Sequence, residues 1–246
     1  MKNVTILMPL PTYWDNTTVF ILGKVFNAVR TQEKFDINLK YGFLAKSKIY
    51  DAAVNIVNKL LGSSFSCIRW EGINATNRFY EMAVARNLLL EIGKESEYCL
   101  FLDSDVVLPK KAIRKLIGDD KDIVGGVVKI PVIYKDGKSG IELGFGRFMG
   151  DFEGVGFSRV MPSILQRVGF INTACMLLSN KVVNDARLRF AVINGKKGFV
   201  NAEDHSYCFT ANVLGYKVYI DPNVRCEHYR REVNPDRTVG VLKILR

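Results

Sequence analysis

Two carboxylates, Asp103 and Asp105, stand one residue apart directly after the apolar run 98–102 in "EYCLFLDSDVVLPKKAI". Carboxylates that close repel each other unless something positive lies nearby. A hard divalent cation such as Mg²⁺ or Mn²⁺ prefers oxygen ligands and would relieve that repulsion. The plain alternative is a surface turn in which one of the two acids caps a helix starting near Pro109. A second acid pair, Glu203 and Asp204, opens a helix-like stretch. Carboxylates are electrostatically favoured there, so capping is the ordinary reading for one of them. Further on lies His228, one of only two histidines with His205, so neither belongs to a histidine-rich site.

The elements that must position these side chains follow from hydrophobic patterning. Residues 4–8 read as a first strand, ended by Pro9, Pro11 and the loop reaching Asp15. Helices are expected over 19–30, 50–61 and 78–92, with strands over 37–44 and 65–70 between them. In the third helix Met82, Ala85, Leu88, Leu89 and Ile92 share one face. The unalternated apolar run 98–102 suits a strand covered on both faces. After the acids, Pro109 suits the first turn of a helix running to about 117, and 122–128 reads as another strand. Such strand–helix alternation predicts an α/β sandwich with a mostly parallel sheet. In a sheet of that kind ligands collect at the carboxyl ends of the strands, where Asp103 and Asp105 fall. Between 137 and 156 lie seven glycines, which read as hairpins and loops rather than a dinucleotide fingerprint. Order returns over 169–178, then in a helix over 203–214 and a strand over 217–220, before a basic tail, 230–246.

A chain of 246 residues, 48% hydrophobic and 24% charged, can bury a proper core. No apolar run approaches the roughly 18–20 residues that a membrane helix needs. The apolar N-terminus is broken by Pro9, Pro11 and Asp15 too early for a signal peptide, so a cytoplasmic protein is expected. Five cysteines without a CxxC pair read as buried free thiols. The net charge of +10 favours anionic partners, but dispersed bases and the absence of any DNA-binding motif give no support for nucleic acid.

Taken together, "YCLFLDSD" (98–105), the "ARN" of 85–87 and the acid pair and histidine of "NAEDHSYCFTANVLGYKVYIDPNVRCEHY" (201–229) resemble a GT-A-type glycosyltransferase of the family-two-like kind. The resemblance implies a GT-A-like, Rossmann-like three-layer α/β/α sandwich forming a single domain, 1–246. Residues 1–128 would be the nucleotide-sugar-binding half, 129–229 the acceptor and catalytic half, and 230–246 a basic tail. It implies a metal-dependent transfer of a sugar from a nucleotide-diphosphate-sugar to an acceptor hydroxyl, with inversion expected, using Mn²⁺ or Mg²⁺. Asp105 would ligate the metal directly, Asp103 would contact the ribose or a metal-bound water, and His228 would complete the metal site. Asp204 would be the general base and Glu203 its supporting neighbour. Arg86 and Asn87 would face the nucleotide, as would the loop carrying Pro11, Tyr13 and Trp14, and Arg230 would meet the diphosphate. The acceptor would be carbohydrate, lipid-linked or protein, and the basic tail would allow peripheral contact with the inner membrane face. For Arg86 a surface salt bridge is the competing reading, and for the aromatics plain packing.

Two departures stand against the family pattern: an unfamiliar first strand and no QxxRW-like segment, the latter arguing against a processive synthase. Two rival readings also fit an apolar strand followed by DxD. A haloacid-dehalogenase-like phosphatase carries that motif at the opening of its domain, whereas about a hundred residues precede it here. A catalytically inactive carbohydrate-binding protein would keep the fold without turnover.

Overall fold

The structure is a computed structural model, which describes residues 1–12, 14–73, 78–133, 139–149, 154–193, 202–232 and 241–245. The first half runs β1 (Lys2–Pro9), α1 (Asn16–Arg30), β2 (Ile37–Lys46), α2 (Tyr50–Leu61), β3 (Ser66–Trp70), α3 (Arg78–Gly93) and β4 (Tyr98–Leu102). Then come β5 (Val106–Val107), α4 (Ala112–Gly118), β6 (Ile123–Val127), β7 (Lys129–Ile133), β8 (Ser139–Leu143), β9 (Phe145–Met149) and β10 (Gly154–Phe157). The rest is β11 (Gln166–Val168), β12 (Phe170–Ile171), β13 (Cys175–Ser179), α5 (Asn180–Val183), α6 (Glu203–Val213), β14 (Val218–Arg225), β15 (Glu227–Glu232) and β16 (Val241–Leu245).

Eight strands form the central sheet in the order β11-β14-β6-β13-β4-β1-β2-β3. Pairings β1–β2, β1–β4, β2–β3 and β14–β6 are parallel, while β13 runs antiparallel to both β4 and β6, and β11 to β14. The expected mostly parallel sheet is present, with a reversed strand near its middle.

Both faces are covered because alternate residues of each central strand point opposite ways. Val4, Ile6 and Met8 of β1 and Leu100 and Leu102 of β4 pack with Leu22, Val25, Val57 and Leu116 of α1, α2 and α4. Leu7, Cys99 and Phe101 face the other layer, with Leu89 and Leu90 of α3 and Tyr207 and Cys208 of α6. Thus 98–102 is apolar throughout because it is covered twice, and a three-layer α/β/α sandwich results. Gly93 lets α3 close onto this sheet: a Cβ there would lie 2.2 Å from Cys99 Sγ. All five cysteines are free, and four are buried.

Three expectations need correction. Pro109 does not begin a helix. Its carbonyl accepts hydrogen bonds from the Gln32 side chain and the Ala112 amide, Lys111 takes a left-handed φ of 61°, and α4 starts at Ala112. The strand after Gly215 runs on to Arg225, well beyond residue 220. Most consequentially, 230–246 is not a free tail. Its described residues lie in β15 and β16, which pair with each other, and β15 also pairs with β5 immediately after the acids. Among the described residues, no helix is long and apolar enough to cross a membrane.

Beyond α4, Asp119 keeps Oδ2 buried with no hydrogen-bond partner among the described residues. Burial, then the charge of Asp221, raises its pKa to about 6. A raised carboxylate pKa favours the protonated form in the fold, so this group costs stability increasingly as pH climbs from about 4 through 6. Asp119→Asn should therefore stabilise the protein at pH 7 by about 1 kcal/mol, allowing for partial exposure, and hardly at pH 4. Melting curves of the two proteins across pH 4–8 check this; parallel curves would refute it.

Candidate active site

The strand order reverses between β1 and β4: from β1 the chain steps to β2 and β3 on one side, then returns to place β4 on the other. Such switch points leave a crevice at the carboxyl ends of the strands. A cleft of about 350 Å³ opens there, lined by the loop Pro9–Thr12, Thr18 and Ile21 of α1, Arg78 and Met82 of α3, residues 103–105, and Tyr229 of β15. The loop is held at both ends. Leu10 donates its amide to the Leu44 carbonyl, and the Asp15 carboxylate caps α1 by accepting the Thr18 amide at 2.8 Å.

Asp103 and Asp105 both border this cleft. The Asp103 amide donates to the Ala174 carbonyl at 3.2 Å, so reversed β13 sets its backbone. Its Oδ1 lies 3.7 Å from Arg86 Nη2. Burial raises the Asp103 pKa and the Asp105 and Asp204 charges add to that, against the pull of Arg86 and His228. Asp105 instead meets His228, with Oδ2 3.5 Å from Nε2. The other ring nitrogen of His228, Nδ1, lies 2.8 Å from the Lys129 carbonyl oxygen. A carbonyl can only accept, so Nδ1 carries a hydrogen and Nε2 is the nitrogen left to face Asp105. Burial disfavours the charged ring, but the hydrogen bond and charge of Asp105 prevail and the His228 pKa rises.

Behind Asp103, the guanidinium of Arg86 is only 4% exposed and donates from Nε to Glu203 Oε1 at 3.0 Å. The surface-salt-bridge reading of Arg86 is therefore wrong: the pair is buried. Burial and the Asp204 charge push the Glu203 pKa up against the opposing Arg86. Burial lowers the Arg86 pKa, but Asp103, Glu203 and Asp204 together more than restore it. Arg86 Nη1 is buried without a hydrogen-bond partner among the described residues.

Asp204 follows Glu203 in the first turn of α6, which has no side-chain N-cap. Its Oδ1 accepts the His205 amide at 2.8 Å, so it does satisfy one orphan helix donor. Neither acid is the N-cap, which is Ala202, and among the described residues nothing is bonded to Asp204 Oδ2. His205 is a core residue: its ring lies 4.4 Å from that of Phe170 and 5.5 Å from that of Phe157, and burial lowers its pKa.

The remaining sequence-predicted residues divide. Pro11 lines the cleft. Asn87 does not: its side chain makes both hydrogen bonds to the backbone of Phe190, at 2.8 and 2.9 Å, so it braces the segment after α5. Trp14 packs against the core beneath α1 and α2. Tyr13 and the side chain of Arg230 lie outside the described residues; the main chain of Arg230 pairs with Lys243. Sequence reasoning missed Thr18, Arg78 and Tyr229 as cleft residues. Arg78 lies eight residues before Arg86 on α3, and Tyr229 directly follows His228, so adjacency to residues already singled out was the available signal.

A metal fits this chemistry. Carboxylate and imidazole are both ligands of Mn²⁺, and the Lys129 carbonyl gives His228 the orienting partner that metal-bound histidines usually have. Among the described residues no three His, Cys, Asp or Glu side chains cluster into a complete cage. Two protein ligands suffice where phosphate oxygens and water supply the others.

This three-layer architecture, with its cleft at the β1/β4 reversal, is a GT-A-like fold. No protein-family model matches the sequence and no curated protein matches it. Among solved structures the chain is similar to GalNAc-T7 with UDP, GalNAc and Mn²⁺, at TM-score 0.59 and 11% identity over 92% of this chain and 44% of that one. It is similar also to TarS of S. aureus, residues 1–349, in complex with UDP, at TM-score 0.55 and 14% identity over 92% of this chain and 59% of that one. The longer TarS structure gives TM-score 0.52 and 14% identity over 90% and 35%. The chain thus spans only 35–59% of the length of these neighbours.

Proposed function

We propose that the protein is a metal-dependent glycosyltransferase that moves a sugar from a nucleotide-diphosphate-sugar to an acceptor hydroxyl. The fold alone hosts more than one activity, so the reading rests on the site. Its carrying observation is the Asp105–His228 pair, 3.5 Å apart at the rim of a cleft sized for part of a nucleotide, with the histidine tautomer fixed from behind. Asp105 Oδ2 and His228 Nε2 would hold Mn²⁺ or Mg²⁺. When bound, the cation offsets charge developing on the diphosphate as the sugar–phosphate bond breaks. The loop Pro9–Thr12 cradles the base and ribose, and Asp103, fixed by Arg86 and the Ala174 carbonyl, meets the ribose or a metal-bound water. Arg78 supplies a positive side chain to the diphosphate. Asp204 takes the acceptor proton on Oδ2, while Glu203 and Arg86 hold the helix start that carries it. A base acting on the face opposite the leaving group gives inversion at the anomeric carbon. Neither a phosphatase nor an inactive binding protein is favoured by any feature of the cleft.

A panel of nucleotide-sugars incubated with Mn²⁺, with release of nucleoside diphosphate as readout, tests this. At least one donor should be turned over, and Asp105→Asn should raise the Mn²⁺ needed for half-maximal rate about 10- to 100-fold. If no donor is consumed or bound, or Asp105→Asn matches the wild type, the reading is wrong.

A further inference from the structure

We propose that the chain has a second ligand site, separate from the donor cleft and independent of its chemistry, for an amphiphilic anion: an apolar body carrying one acidic group. A cavity of about 910 Å³ lies between the small sheet β10-β9-β12, strand β11 and the C-terminal half of α6. Its walls include Phe145, Phe148, Phe157, Phe209, Val168 and Val213, and it shares no lining residue with the donor cleft. The rings are fixed by one another: Phe148 meets Phe209 edge-on at 5.5 Å and Phe170 at 5.7 Å, and Phe157 meets Phe170 at 5.3 Å. In its wall two glycines let neighbouring backbone segments approach closely. A Cβ at Gly146 would lie 2.0 Å from the Gly156 carbonyl oxygen, and one at Gly169 would lie 2.9 Å from Arg147 Cα.

Among the described residues, the charged side chains that line it are both arginines. Arg147 and Arg167 border the cavity, both exposed. Neither makes a hydrogen bond or ion pair among the described residues, whereas Arg86, Arg159 and Arg187 are each paired with a carboxylate. Unpaired guanidiniums beside an apolar hollow match a phosphate or carboxylate whose attached body is water-averse. Val213 lines the cavity while 70% exposed, so the hollow communicates with solvent. Phe209 follows Asp204 by five residues on α6, about 7.5 Å along the axis, so a ligand here would sit beyond the catalytic turn rather than in it.

Octyl phosphate, below its micelle concentration, is the probe, with 1-octanol and inorganic phosphate as comparison arms and calorimetric titration as readout. Saturable one-to-one binding is expected for octyl phosphate, with each comparison ligand at least about tenfold weaker. Arg147→Glu/Arg167→Glu should weaken octyl phosphate at least about tenfold. Val213→Trp, at an exposed position that tolerates bulk, should obstruct it. Both variants should keep the wild-type melting temperature and nucleoside-diphosphate affinity. Inorganic phosphate binding as tightly would mean a simple cationic surface, and octanol binding as tightly would remove the role of the arginines. Either result, non-saturating uptake, or full binding by the charge-reversed variant overturns the proposal.

Discussion

Asp204→Asn is expected to lower kcat by about 10²–10⁴-fold while leaving the fold intact, the range a lost general base produces. The substitution is nearly isosteric, and an amide oxygen at the Oδ1 position can still accept the His205 hydrogen bond that closes the start of α6. It removes a charge from a crowded acidic group: Asp204 raises the pKa of both Asp103 and Glu203. Stability should therefore hold or rise slightly, and KM for the donor should change little. Steady-state kinetics with a donor found by screening, together with a melting curve, separates the outcomes. A variant that loses activity only because it unfolds would show Asp204 to be a helix-start residue and nothing more.

Arg86→Met should be the most destabilising single change in the site, at about 3–5 kcal/mol, because breaking a buried pair leaves the partner charge without compensation. Glu203 Oε1 would lose its 3.0 Å partner, and Asp103 its neighbouring cation. The sign of the pH dependence follows from those acids. Stranded carboxylates have pKa values raised further, so the variant regains stability as they protonate, and its deficit should be larger at pH 8 than at pH 5. A double variant, Arg86→Met/Glu203→Met, should recover part of the loss, since removing both partners is far less costly than removing one. Urea midpoints at the two pH values decide it. A deficit independent of pH, with no recovery in the double variant, would mean that Arg86 stabilises through packing alone.

Much of this architecture is legible in the residues. Tyr98–Leu102 and Tyr50–Leu61 are strand and helix over the span that patterning predicts, because one is buried on both faces and the other on a single stripe. The acids, His228 and Arg86 are also recognisable as a set, although 125 positions separate the first acid of the DxD from the histidine. What was hidden is relational. Strand direction leaves no trace in composition, so the reversal of β13 beside β4, which sets the Asp103 backbone, was invisible. The sequence of β15, EHYRRE, reads as a solvated basic segment, yet pairing with β5 and β16 satisfies its backbone. Asn87 sat beside Arg86 in a suggestive tripeptide, but one step along a helix turns a side chain about 100° away, here toward Phe190.

The union of β5 with β15 joins Asp105 to His228 through the main chain as well as through their side chains. Val106 lies against His228, and the Tyr229 amide bonds the Asp105 carbonyl at 2.8 Å. A ribosome that has added residues only as far as 226 has made both aspartates and His205, but not the histidine that β15 sets beside Asp105. That juxtaposition can therefore form only after every strand of the central sheet has been synthesised.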